Sequence, residues 1–283
     1  MRSQIPMLIA AIGLIACLSA EPAGALGPDP SQLPGPPGGA ELSPRLASYV
    51  NRIAALEPAY LAPDLEYPTI GLLPGWRDKV CPQVSGLTQQ QGEFILARLS
   101  DIARAAGVRV ADHDCRPNIF IYVTDRPRDL LKSMEKQNPI GMFGRRGLPY
   151  LIDQFIDTPR PVRVWYNVEE GPAVSFQYAF AGVLVVADRA QLQHVSFGQL
   201  ADYLGMVSFA EIKPGAHVGD DPTILNLFDG GPQAAPSRMS DWDQIFLKTL
   251  YDTETWPTPF KWRNTYCCEL HELATNMFDH ISH

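Results

Sequence analysis

The last 18 residues of the chain, "YCCELHELATNMFDHISH", gather two adjacent cysteines, three of the six histidines and a His-Glu pair. His271-Glu272-Leu273-Ala274-Thr275 runs as H-E-x-x-H up to its final letter. That pattern sets two imidazoles one helical turn apart on one metal ion, with the glutamate beside them as base. Thr275 cannot supply the second imidazole. Cys267 and His271 stand at i and i+4 and share a helix face, a spacing that also suits a metal. Against both, Tyr266, Leu270, Leu273, Met277 and Ile281 recur at helical spacing as an apolar stripe, and His271 borders it. His280 and His283 fall near a helix C-terminus, where cations are favoured. The expectation is an ordinary amphipathic helix with no metal.

A second constellation begins at "VSFGQLADYLGMVSF" (195–209), where Ser196 and Gln199 have the spacing of a capping box. "PTILNLFDGG" and "MSDWDQIFLKTLY" follow. In this order the three segments resemble the core of the zincin metallopeptidases, the metzincins in particular. Those have an active helix H-E-x-x-H-x-x-G-x-x-H, a turn near S-I-M-x-Y and a closing helix ending in Leu-Tyr. Gly205 matches the motif glycine, Leu204-Gly205-Met206 the helix-ending triplet, and Thr223-Ile224-Leu225 the turn. Ser240 to Tyr251 is similar to the closing helix. The resemblance implies an α+β, zincin-like fold: a mixed twisted sheet packed with helices, with a helical C-terminal part.

Its chemistry is another matter. Aligned on Gly205, the three ligand positions hold Gly198, Asp202 and Ser208, and the base position holds Gln199. One carboxylate does not hold zinc, and an amide takes no proton from water. The resemblance therefore implies a domain that binds a ligand or serves structurally, with no cofactor. The residues left around the implied cleft are His194, Gln199, Asp202 and Glu211. The alternative is a hydrolase with a non-standard site built from Asp202, His194 and Glu211. The chain also resembles a group of exported proteins of alphaproteobacterial type. It shares with them C-P-x-V-x-G-L at Cys81, C-x-P-N at Cys115, L-A-D-Y at 200–203 and S-D-W-D at 240–243. That resemblance implies an address and no activity.

Other motifs are missing or incomplete. No G-x-S-x-G occurs, and "GMFGRRG" lacks the strand and the lysine of a phosphate loop. Arg145 and Arg146 there read as solvated residues of a mobile loop. Asp241 and Asp243 read as first-turn acids facing the positive end of a helix. Trp242 opens an apolar stripe with Ile245, Phe246 and Leu250.

The elements that must position these residues follow from composition and pattern. Apolar residues make up 46% of the 283, enough for a core, and charged residues 19%. With 31 acids against 23 bases and no basic cluster, the composition argues against nucleic-acid binding. "IPMLIAAIGLIACL" is a short N-terminal apolar run of signal-peptide type, which expects export over residues 1–20. Two processing readings stand: cleavage after Ala23-Gly24-Ala25, or a lipobox at Leu14-Ile15-Ala16-Cys17 that would acylate Cys17 and anchor the chain to a membrane. A partner in the cell envelope is then expected, and a domain that only docks there would expose a large apolar patch.

Export favours disulfides, and the mature chain has four cysteines: Cys81, Cys115, Cys267 and Cys268. Cys81 and Cys115 flank one helix-strand unit and are the expected pair. Residues 21–43 are rich in proline and glycine and read as a tether. The single folded domain is expected over 44–283, opening with Ser43 as N-cap and Pro44 at the first helical position. Leu46, Tyr49, Val50, Ile53 and Leu56 continue that helix. "LTQQQGEFILARLSDIARAAG" reads as a helix capped by Thr88 and Gln91 and ended by Gly107. "NIFIYVT", "VRVWYNV" and "VSFQYAFAGVLVVAD" read as strands, with Gly182 as a bulge or hairpin bend, and a helix is expected from Asp129 to Gln137.

Overall fold

A computed structural model describes residues 39–55, 73–112, 114–144, 147–170, 178–216, 218–229, 236–252 and 268–282. The expected signal segment, Cys17, most of the tether, Leu56, Arg145, Arg146, Cys267 and His283 lie outside them, as do the side chains of Cys268 to Glu272. Residues Gly38–His283 form one compact unit.

The order is α1 (Gly39–Ile53), β1 (Pro82–Ser85), α2 (Gln89–Ala106), β2 (Ile119–Thr124), α3 (Pro127–Gln137), α4 (Pro139–Phe143), α5 (Pro149–Asp157), β3 (Val162–Glu170), β4 (Tyr178–Asp188), α6 (Phe197–Phe209), α7 (Asp241–Tyr251) and α8 (Cys268–Ser282). The fold is α+β. Among the described residues four strands form one mixed sheet in the order β1-β2-β4-β3. β1, β2 and β4 run parallel, and β3 lies antiparallel to β4 at the edge.

Alternation along the strands divides the interior in two, because successive side chains point to opposite faces. Ile119, Ile121 and Val123 of β2, with Val183, Val185 and Ala187 of β4, meet α1, α2, α6, α7 and α8 in the larger core. Leu184 and Val186, with Phe120 and Tyr122 beside them, meet Leu131, Phe143, Ile152 and Ile156 of α3–α5 on the other face. Among the described residues no helix is long and apolar enough to cross a membrane.

Several expected local signals are present. Thr88 and Gln91 close a capping box on α2, its buried stripe includes Ile95, Leu99, Ile102 and Ala106, and Gly107 ends it at φ 87°. Cys81 and Cys115 are bonded, with Cα atoms 6.1 Å apart. The irregularity expected near Gly182 falls one residue away. Asn167 pairs with Gly182 and Val168 with Phe180, so Ala181 is the extra residue of a bulge.

Two helix ends differ from the sequence reading. α1 begins at Gly39, which places Pro44 inside it instead of at its first turn. From Pro44 on, where the side chains are described, the first buried residue is Leu46, followed by Tyr49, Val50 and Ile53. α6 does not stop at Leu204-Gly205-Met206 but runs to Phe209. Gly205 serves a different purpose there. A Cβ on it would sit 2.6 Å from Cδ1 of Ile102, so glycine is what lets α6 lie so close to α2.

Candidate functional site

The residues singled out on α6 are already engaged. Ser196 and Gln199 form the capping box, and the Gln199 amide also donates to the Pro236 carbonyl at 2.8 Å. Asp202 is 2% exposed. Its carboxylate accepts Nε and Nη2 of Arg98 at 2.6 and 3.2 Å and the backbone N–H of Met239 at 2.7 Å. The same pairing raises the pKa of Arg98. Gly198 brings no side chain. Ser208 is fully buried, and its hydroxyl has no hydrogen-bond partner among the described residues.

These candidates do not converge. His194 is exposed in the turn before α6, Gln199 lies in its first turn, and Glu211 follows its end. The length of that helix, about 20 Å, separates them. Among the described residues no group of three or more His, Cys, Asp or Glu side chains is placed to hold a metal ion.

Asp243, expected to serve only as a first-turn acid, is a buried hub. It is 0% exposed. It accepts the hydroxyls of Tyr49 (2.9 Å) and Thr223 (2.5 Å) and the backbone N–H groups of Ile224 (2.8 Å) and Ser240 (2.9 Å). It thereby ties α1 and the 3₁₀ turn at Ile224–Phe228 to the start of α7. Burial pushes its carboxyl pKa up, while the donors around it pull the other way. The Tyr49 phenol is pushed well up by burial and by this carboxylate.

The open site lies elsewhere, along β3. A cavity of about 760 Å³ is walled by β3, by α4 and α5, by the later turns of α6 and by the 211–215 segment. Of the sequence candidates, only Glu211 lines it. β3 brings side chains of both faces to this cavity because it is the edge of the sheet. On one face Trp165 meets Phe143 and Phe155 edge-on, with ring centroids 5.3 and 5.4 Å apart. Trp165 Nε1 donates to the Phe143 carbonyl, and the Asn167 amide donates to that of Met142, which locks α4 onto β3. On the other face the Tyr166 hydroxyl donates to the Val207 carbonyl and accepts the Ile212 N–H. That clasps the end of α6 to the sheet. Burial pushes the Tyr166 phenol well up, and pushes Tyr203 up to about 12.

The backbone of β3 is open on this side. Asp188 N–H donates to Pro161 O at 2.8 Å, which marks 161 and 188 as a hydrogen-bonded pair. Antiparallel pairs alternate, so Arg163 and Trp165 turn their N–H and C=O toward β4. Val162, Val164 and Tyr166 turn theirs outward. Among the described residues no strand pairs with this edge.

Two arginines stand at the start of β3. Arg163 is 5% exposed and lines the cavity. Its guanidinium donates to the carbonyls of Thr158 and Arg160 at 3.1 and 3.4 Å. Burial lowers its pKa, Asp188 opposes that through space, and Arg160 adds to it. By sequence, "VRVWYNV" reads only as a strand. The available signal was polar residues four apart on one strand face, Arg163 and Asn167, with Trp165 between them.

No protein-family model matches the chain, and neither a curated protein nor a solved structure matches it.

Proposed function

We propose that the protein is an exported binding protein that holds an extended peptide segment along the free edge of β3, on a zincin-like layout without the zinc chemistry. One observation carries this reading: outward N–H and C=O groups of Val162, Val164 and Tyr166 open on a cavity with apolar walls. An added strand gains affinity from main-chain hydrogen bonds and selectivity from side-chain pockets on alternate positions. Exposed Leu148 and Tyr150 stand between cavity-lining Gly147 and Leu151, and exposed Ile140 lines the cavity itself. These side chains give a ligand apolar surface to cover.

The layout is supported by the antiparallel strand at the sheet edge, by α6 following β4 through one 3₁₀ turn (Arg189–Leu192), and by the Thr223 turn and α7 that follow. Export rests on the N-terminal apolar run. The intact mass of protein recovered from a bacterial envelope tests it, and persistence of Met1 to Ala16 would sink it.

Val164→Pro tests the binding mode. It deletes one outward N–H and no ladder bond, which an edge strand tolerates. A displayed peptide library should yield binders to the wild-type chain and none to this variant, with melting temperature checked for both. Equal capture by both would refute strand addition.

A further inference from the structure

The geometry points to a carboxylate-selective end of the cavity, formed by Arg163 and Arg160, so that the peptide held there carries an acidic group facing Arg163. This rests on the strand-addition reading. Buried charges are normally paired. Among the described residues Arg163 has no carboxylate on its guanidinium: its acceptors there are two backbone carbonyls, which engage two of its five N–H donors. The remaining three have no acceptor among the described residues. Asp188, the acid that acts on it through space, already accepts Ala190 N–H and the Gln191 amide.

Arg160 adds a second guanidinium. It lies over Gly215, where a Cβ would come within 3.5 Å of its Nη1. Both arginines line the same cavity. The acids that line the cavity are Glu169 on β3 and Glu211 on the 211–215 segment. Glu169 is six residues on, about 20 Å at strand rise. Glu211 adjoins Ile212, whose N–H reaches the Tyr166 hydroxyl, so it sits about three residues from Arg163. Of these two acids, Glu169 is thus well removed from Arg163, while Glu211 shares the 211–215 segment with Gly215. A residue opposite Arg163 in an added strand projects its side chain onto the same face, at cross-strand pairing distance. A carboxylate there would accept charge-assisted hydrogen bonds from a fork already held in place by Thr158 and Arg160.

An acidic side chain and a C-terminal carboxylate offer the same chemistry, and two libraries separate them. Extended peptides are displayed with free C-termini in one and as internal segments in the other, and both are selected on the full chain. A fixed Asp or Glu in both libraries identifies a side chain. Capture confined to free ends without a fixed acid identifies the terminus. The affinity of one selected peptide is then measured on Arg163→Met and Arg160→Ala. Each should weaken it between about tenfold and a hundredfold, the loss of a hydrogen bond to a charged group. Because Arg163→Met also removes contacts to Thr158 and Arg160, it counts only if its melting temperature holds, and the less buried Arg160→Ala decides otherwise. Binders with no acidic or terminal preference, or affinities unchanged by Arg160→Ala, would overturn the carboxylate end and leave strand addition intact. Failure of the wild-type chain to capture any peptide would overturn both.

Discussion

Asp202→Ala should unfold the protein more readily, because Asp202 acts as a packing element between α2, α6 and the segment before α7. Two losses combine. Met239, 2% exposed, would keep a backbone N–H with no acceptor, which costs about 1–3 kcal/mol. Arg98 would lose its bidentate partner, but its side chain is 40% exposed and water can take over. That half-open pair adds only about 1 kcal/mol. The sum is about 2–4 kcal/mol, or on the order of 10 °C in melting temperature for a domain of this size. Urea unfolding at pH 7 of wild type, Asp202→Ala, Arg98→Ala and the double variant gives the coupling energy directly. A coupling near 1 kcal/mol with the larger cost on Asp202→Ala is expected. A carboxylate held ready for chemistry behaves in the opposite way, since removing it relieves an unfavourable site. Asp202→Ala with unchanged or increased stability would refute the packing role and revive the hydrolase alternative.

Gly205→Ala should cost about 1 kcal/mol net, overpacking against Ile102 outweighing the helix propensity gained. Ile102→Val removes the clashing Cδ1 and should recover most of that, so strictly additive urea midpoints would argue against the contact. Replacing Cys81 and Cys115 by alanine opens a loop with a sequence separation of 34, worth about 3–4 kcal/mol in the chain-entropy model. An unfolding midpoint that is the same with and without reductant would count against that bond. The Asp243 carboxyl, raised by burial, should titrate by NMR above the ordinary Asp value of about 3.9. Its proton-linked contribution is full below the unfolded pKa and is lost as pH rises through the folded one. A folded-state value below 3.9 would reverse that sign.

Elements governed by neighbours in sequence were legible. The capping boxes at Thr88 and Ser196, the stripe of α2 and the β-rich runs each follow from a local rule, and the structure carries them. The Cys81–Cys115 pair was legible because two cysteines flanked one helix-strand unit. What failed depended on distant residues. Gly205 read as a helix stop through the resemblance to the metzincin triplet, whereas Ile102, about a hundred positions earlier in the chain, is the reason for it. Asp243 read as a dipole partner because its first-turn position is visible in sequence. The hydroxyls of Tyr49 and Thr223 that bury it are not. β3 was legible as a strand, but not as the edge strand. That status depends on the order β1-β2-β4-β3, which strand propensity alone does not specify.

The contrast between α6 and β3 explains why motif reading pointed away from the proposed peptide site. A motif search looks for reactive side chains, and those of α6 are closed off: Asp202 on Arg98 and Met239, Gln199 on its cap and Pro236. The hydrogen-bonding capacity still available lies in backbone groups of β3, which carry no letter code. Sheet edges left open are a hazard that proteins usually cover, charge or shorten. Here the nine-residue β3 instead turns its edge to a cavity, with Arg163 at its start and Glu169 near its end. Charges at the two ends discourage unselective pairing with another edge, while the stretch from Val164 to Tyr166 stays apolar and open. Such an edge is guarded against indiscriminate partners and remains available to one whose charges match, which is the property the proposed peptide site requires.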